Sequence, residues 1–162
     1  MKFSQGKNGR VFVVRLEDGE VIHEVLERFA TDHHIAGASV SIVGAVDKGS
    51  KLVVGPKKGE AMPPNPMEHV LNEVHEMTGV GTIFPNENGQ PVLHMHIACG
   101  RQGDAVAGCV RKGVRVWKTA EVIIHEIAGT NARRELDAAT GFEMLNPRRS
   151  TVTDLSRNNN EL

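Results

Sequence analysis

Aromatic residues are scarce in this chain: tyrosine is absent, and phenylalanine and tryptophan together make up 4% of its 162 residues. Proteins that hold single-stranded nucleic acid stack bases on aromatic side chains, so that class is disfavoured. An excess of one charge is missing too, because 19 Lys and Arg stand against 20 Asp and Glu, for a formal net charge of −1. Such a balance gives no global attraction to nucleic acid or to an acidic membrane surface. The basic pairs Lys57-Lys58 and Arg148-Arg149 are what remain for local phosphate contacts. Cysteine occurs twice, at Cys99 and Cys109, which is too few for a disulfide framework. No apolar run reaches the roughly 18 residues of a membrane helix. The opening MKFSQGKNGR is polar rather than leader-like. Together these absences lead to the expectation of a soluble cytoplasmic protein with no membrane partner. Repeats, heptads and P-loop, GxSxG or CxxC motifs are absent as well, so none of the familiar nucleotide, acyl-transfer or redox signatures applies.

What is present reads as a single domain over residues 1–147, followed by a polar, loosely held tail over 148–162. Val11 to Leu16 is a nearly continuous apolar run, the pattern of a strand with both faces at least partly covered. From Glu20 to about His33, Val21, Ile22, Val25, Leu26 and Phe29 fall at helical spacing. Asp18 is placed to serve as N-cap or first-turn acid, and His33-His34 as polar cover at the far end. Ala36 to Val46 predicts a strand in which Gly44 marks a bulge or a close backbone approach. Lys51 to Val54 is the next strand, expected to pair with it through Asp47–Ser50, and the proline-rich Gly55 to Pro66 is a loop. Glu68 to Met77 is open between strand and helix. Thr82 to Phe84, Val114 to Trp117 and Ala120 to Ala128 predict further strands, with His125 on a sheet surface. Arg133 to Asn146 reads as a short turn or helix anchored by Leu136, Phe142 and Leu145. Many short strands with one convincing helix imply an α+β fold, a mostly antiparallel sheet with the helix on one face.

The most informative stretch is PVLHMHIACGRQGDAVAGCV, residues 91–110. It predicts a strand, a tight turn and a returning strand. His94 and His96 share one side, because side chains alternate with period two, and stand about 7 Å apart. Leu93, Met95, Ile97 and Cys99 share the other. With Gln102-Gly103 as the turn, Cys109 lies across from His96, on the same face as both histidines. Two imidazoles and a thiol are a donor set that suits Zn²⁺ or a similar divalent metal. Strand histidines are also commonly structural and free cysteines commonly buried, and a one-residue slip would send Cys109 to the other face. In the same register Cys99 and Cys109 face opposite ways, so no disulfide between them is expected.

Further motifs occur in a fixed order. They are Leu16-Glu17-Asp18-Gly19-Glu20, Val43-Gly44-Ala45-Val46, Thr78 to Ile83 with its glycines, and Leu93-His94-Met95-His96. Ala107-Gly108-Cys109-Val110, Ala120 to Ile124 and Arg134-Glu135-Leu136-Asp137 to Thr140-Gly141 follow. Over roughly residues 10 to 145 this succession resembles the PPC domain (plants and prokaryotes conserved, DUF296). The resemblance implies an α+β fold, a homotrimer, and a metal-capable cluster made of His-x-His and the last residue of a Gly-Gly-His segment. That segment reads Ala107-Gly108-Cys109 here, so cysteine stands where the family carries histidine. The acidic position that family members tend to carry nearby corresponds to Glu73, His75 or Glu76, and His75 is a candidate fourth ligand. Plant members bind DNA through an adjoining AT-hook, an element this chain lacks; Asn146-Pro147-Arg148-Arg149 is its nearest basic cluster.

Three functions compete on these grounds. The first is a trimeric binding or regulatory module with a metal or small-ligand site at His94, His96 and Cys109, open to protein partners and associated with DNA weakly or indirectly. The second is a metal-dependent enzyme, with Glu73, Glu76 or Glu121 as candidate general base. The third is direct DNA binding through Arg148-Arg149 and Lys57-Lys58.

Overall fold

The computed structural model describes residues 1–148. The order of elements is β1 (Lys7–Glu17), α1 (Ile22–Asp32), β2 (Ala38–Val46), β3 (Lys51–Pro56), β4 (Pro66–Val70), β5 (His75–Pro85) and β6 (Pro91–Arg101). After these come β7 (Asp104–Cys109), β8 (Val116–Ala128), β9 (Arg133–Leu136) and β10 (Glu143–Asn146). Eight strands form one sheet in the order β1-β8-β2-β5-β6-β7-β3-β4, and β9 and β10 make a separate hairpin. Every pairing is antiparallel. The expected mostly antiparallel sheet with a single helix is therefore what the chain builds. The tail expected from residue 148 lies, beyond Arg148 itself, outside the described residues.

Period-two alternation sorts the sheet into two unlike faces. On one, Leu16, Val40, Ile42, Ile83, Leu93, Met95, Ile97, Val122 and Ile124 are buried. Helix α1 lays Ile22, Leu26 and Ala30, spaced one turn apart, into the same core. Burying a leucine or isoleucine side chain is worth about 1.5–3 kcal/mol, so this face supplies most of the folding free energy. On the opposite face β9 reaches β5 through the bond from Arg134 to Thr82, while Val13 and Val80 remain 80% and 70% exposed.

That second face corrects the reading of Val11 to Leu16 as a strand with both faces at least partly covered. Val11 and Val13 point outward, because β1 is an edge strand with the helix on its other face. Lys51 to Val54 does not pair with the preceding strand either. Both edges of β2 are already taken, by β8 and β5, so β3 crosses to the far side of the sheet and pairs with β7 and β4. Asp18 does not cap the helix: Val21 holds the N-cap position without a side-chain bond, and Asp18 instead accepts from the Lys118 backbone N–H at 2.7 Å. Glu68 to Met77 divides into β4, a turn and the start of β5. The segment after Arg133 is a hairpin rather than a turn or helix, and its supposed anchors Leu136, Phe142 and Leu145 are exposed. Gly44 does mark the bulge: its φ is 149°, the β2–β8 register shifts beside it, and a Cβ there would stand 2.6 Å from the Thr119 carbonyl oxygen.

Close approach also governs the strand beside the histidines. A Cβ on Gly79 would lie 2.5 Å from Ile97 Cγ2 and 2.6 Å from the His96 carbonyl oxygen. Gly79→Ala is therefore expected to destabilise the fold by about 1–3 kcal/mol, against the usual gain from replacing a strand glycine. Urea unfolding with an unchanged or raised midpoint would show that the β5–β6 spacing is not set this way.

Candidate metal centre

The hairpin of β6 and β7 turns at Gln102 and Gly103, whose φ angles are 52° and 89°. Positive φ at both central residues is the tight turn whose twist matches its strands, so one register is imposed on the whole hairpin. Arg101 pairs with Asp104, Ala98 with Ala107, and His96 with Cys109. The sequence-based register thus holds. His94 and His96 lie on the outer face while Met95, Ile97 and Cys99 are buried on the inner one. Cys99 and Cys109 are both free thiols. Burial pushes the Cys99 thiol up to about 11, so it stays protonated and inert.

One ligand atom from each of His94, His96 and Cys109 lies within 4.8 Å of the others. The two Nε2 atoms are 3.2 Å apart in a hydrogen bond, with the rings nearly perpendicular at 74°. A tetrahedral zinc with bonds of about 2.0–2.3 Å requires donors roughly 3.3–3.7 Å apart. The imidazole pair is close to that spacing, and the sulfur lies within 4.8 Å of both rings' ligand atoms. The donor set therefore fits a divalent metal of zinc type.

These atoms open onto a cleft of about 620 Å³. Val53 and Pro66 line one part of it, the hairpin residues Phe142, Glu143, Met144 and Leu145 another, and Arg111, Lys112 and Arg134 bring positive charge. Arg134 is 4% exposed and donates to Thr82 Oγ1 at 3.1 Å and to the Val92 carbonyl at 3.4 Å. Arg111 Nε donates to Cys109 Sγ at 3.1 Å. The cleft partly desolvates the His94 ring, and this burial, with the charges of Arg134, Arg111 and His96 behind it, holds its pKa below the ordinary histidine value. Burial and then Arg111 likewise lower Arg134, against opposing pulls from Glu143, Cys109 and Glu27.

The other predicted residues do not join the group. His75 falls on the inner side of β5 by parity, since Val80 shares the face of its partner His96, and its Nδ1 donates to the Glu73 carbonyl at 2.7 Å. Glu73 precedes that strand. Glu76 pairs with Gly100, four residues along β6 from His96 and about 13 Å away. Glu121 pairs with Arg15 and Val43, in a different part of the outer face. What sequence reasoning missed are the arginines and the hairpin of β9 and β10. Arg111 carried a signal, standing two residues after Cys109. Arg134 stood in a motif that carried the family resemblance but gave no sign of a place at the site, because only the tertiary fold brings it over β6.

Comparison with known proteins agrees with this architecture. A structure of a metal-containing protein from Archaeoglobus fulgidus superposes with a TM-score of 0.76 at 25% identity, over 89% of this chain and 98% of that one. A plant- and prokaryote-conserved protein from Pyrococcus horikoshii gives 0.73 at 21% identity, over 86% of this chain and 96% of that one. The bifunctional protein GlmU of Synechococcus sp. (strain JA-3-3Ab) is 26% identical over 136 residues, which are 82% of this chain. The chain spans about a fifth of the length of the curated relatives it matches. The model of the Plants and Prokaryotes Conserved (PCC) domain matches residues 3–128, and the chain belongs to that family.

Proposed function

We propose that this protein is a homotrimeric binding module that holds one divalent metal, zinc by donor chemistry, at His94, His96 and Cys109. The observation that carries the reading is the meeting of three donor atoms within 4.8 Å on paired strands. Similarity to a metal-containing archaeal protein supports it. Three protein ligands would leave a fourth position, where the metal supplies Lewis acidity to whatever enters the cleft. The cleft contains none of Glu73, Glu76 and Glu121, the carboxylates on which the enzyme reading depended.

Residue dependence follows from the two faces of β6. Cys109→Ala is expected to lose most of the metal while the fold survives, and Cys109→His to keep it. Cys99→Ala should retain the metal at a cost of about 1 kcal/mol in stability, since it removes one buried atom from the inner face. Occupancy should fall as pH drops, because protons compete for the imidazoles and the thiol. The lowered pKa of His94 keeps that ring neutral further into the acid range than a free imidazole. Metal analysis across pH checks this, and stoichiometric metal surviving both Cys109→Ala and the double change His94→Ala/His96→Ala would identify the wrong ligands.

Support for the trimer comes from the outer face. Val13, Ile123, Ser41, Val80 and His96 are successive cross-strand partners, so the exposed apolar strip runs up to the site itself. Val11, Val13, Val43 and Val80 all stand exposed on this face, and grouped exposed apolar side chains are what an interface between copies would cover. Sedimentation equilibrium at micromolar concentration should give three times the chain mass, and Val13→Lys should lower it without unfolding the chain. A wild-type monomer would refute the assembly.

DNA binding by the chain is expected to be weak and without sequence preference. Its net charge is −1, Arg148 is paired with Glu135, and Arg149 lies outside the described residues. Any affinity should collapse between about 50 and 200 mM salt. A nanomolar, sequence-selective complex at physiological salt would contradict this.

A further inference from the structure

We propose that the cleft over His94, His96 and Cys109 binds a small amphiphilic carboxylate, its anionic head between Arg111 and Arg134 and its apolar body against Phe142, Met144 and Leu145. The proposal rests on the metal reading for the role of the three donor atoms, and on the arginines for everything else.

The first ground is an unmatched buried charge. Arg134 is 4% exposed, and a guanidinium remains charged in proteins. Burying such a group is unfavourable unless an anion or a full set of acceptors compensates it. Its described hydrogen bonds go to a hydroxyl and a carbonyl, both neutral, and use two of its five donors. Among the described residues no carboxylate forms an ion pair with Arg134 or with Arg111. Lys112, the third cation of the cleft, is already paired with Glu68 at 3.7 Å. Glu143 is the one carboxylate among the described residues lining the cleft, and it acts on Arg134 through space, without a hydrogen bond or ion pair to it. Glu27, whose Oε1 accepts from the Leu93 backbone N–H, also acts on Arg134 through space without bonding to it, so neither guanidinium has a carboxylate in contact. A bound divalent cation would add positive charge even after a thiolate ligand is counted. Among the described residues, an anion bound to these guanidiniums is what the site lacks.

The second ground is shape and polarity. A cleft of about 620 Å³ has the size of small-molecule sites, which are mostly apolar with a few convergent polar groups. Here Phe142, Met144 and Leu145 stand exposed, so the hairpin offers an apolar wall that the described residues do not cover. Guanidinium forks match the planar carboxylate group in two parallel hydrogen bonds. A compact, doubly charged anion such as inorganic phosphate would satisfy the arginines but leave the wall against water. The carboxylate with a short apolar body uses both.

The test takes the full chain loaded with zinc, its metal content measured first, and titrates it calorimetrically with 4-phenylbutyrate, 4-phenylbutanol and inorganic phosphate. Binding of one phenylbutyrate per chain is expected, with the alcohol weaker by about tenfold or more, the size of a lost charge-assisted pair. Arg111→Gln and Arg134→Gln should each weaken phenylbutyrate by about tenfold while the metal stays bound. Circular dichroism checks that each variant folds, and Arg111→Gln alone decides the matter if the buried Arg134 does not tolerate change. In cobalt-substituted protein, phenylbutyrate should also alter the visible spectrum, because its head faces the donor atoms. Loaded protein that ignores phenylbutyrate, prefers phosphate, takes the alcohol equally well or is insensitive to both arginine changes overturns the proposal. Wild-type protein that takes up no metal is a different result: it overturns the metal reading, and is seen in the metal analysis before any ligand is added.

Discussion

The pairing of His96 with Cys109 is the constraint on which the site depends, and it is set by two residues distant from both. Gln102 and Gly103 adopt positive φ, and this closes the hairpin in one register only. A slip of one residue would carry Cys109 into the core and Gly108 to the site, because the side-chain period is two. A second lock lies on the far side of β6. Gly79 and Gly81 let β5 approach so closely that a Cβ on either would collide with the carbonyl oxygens of His96 or His94. The histidine strand is therefore gripped from both edges, by a turn on one and by bare backbone on the other.

A sheet with one buried and one open face divides labour between them. The inner face packs α1 and holds the core, and none of its buried residues touches the three donor atoms' side of the sheet. Function on the outer face can then vary at little cost in stability. The same face places Val53, Cys109, His96, Val80, Ser41, Ile123 and Val13 in one lateral row across seven strands. An assembly that covers the valines would thus change the surroundings of the histidines, so the interface and the site cannot be treated as independent.

Much of this was legible in the sequence because alternation and turn chemistry are local. The strand of His94 and His96, the Gln102-Gly103 turn, the bulge at Gly44 and the helix face of Ile22 and Leu26 all declare themselves within a dozen residues. Strand order does not. Lys51 to Val54 follows β2 after four residues, the spacing of a hairpin, yet β2 has both edges occupied by strands from elsewhere in the chain. Asp18 looks like a helix cap until the fold brings Lys118 to it from a hundred residues away. The same limit hid Arg134, whose place beside Thr82 and Val92 is a product of tertiary packing alone. His75 fails for a simpler reason, since its parity on β5 sends it inward.

Cys109 and Arg111 are best understood as one unit. The family resemblance implies histidine at position 109, and a neutral imidazole there would leave the Arg111 guanidinium facing a ring with no charge to offer. A cysteine ligand becomes a thiolate on metal binding and so adds a negative charge at that point. Arg111 stands two residues further along, and its Nε reaches the sulfur at 3.1 Å. With a metal bound, cysteine in place of histidine would keep three donors and alter the local charge by one unit, in a cleft that Arg111, Lys112 and Arg134 line. It also occupies one guanidinium edge with sulfur, which leaves Arg134, buried and paired with neutral groups, as the stronger determinant of what the cleft accepts.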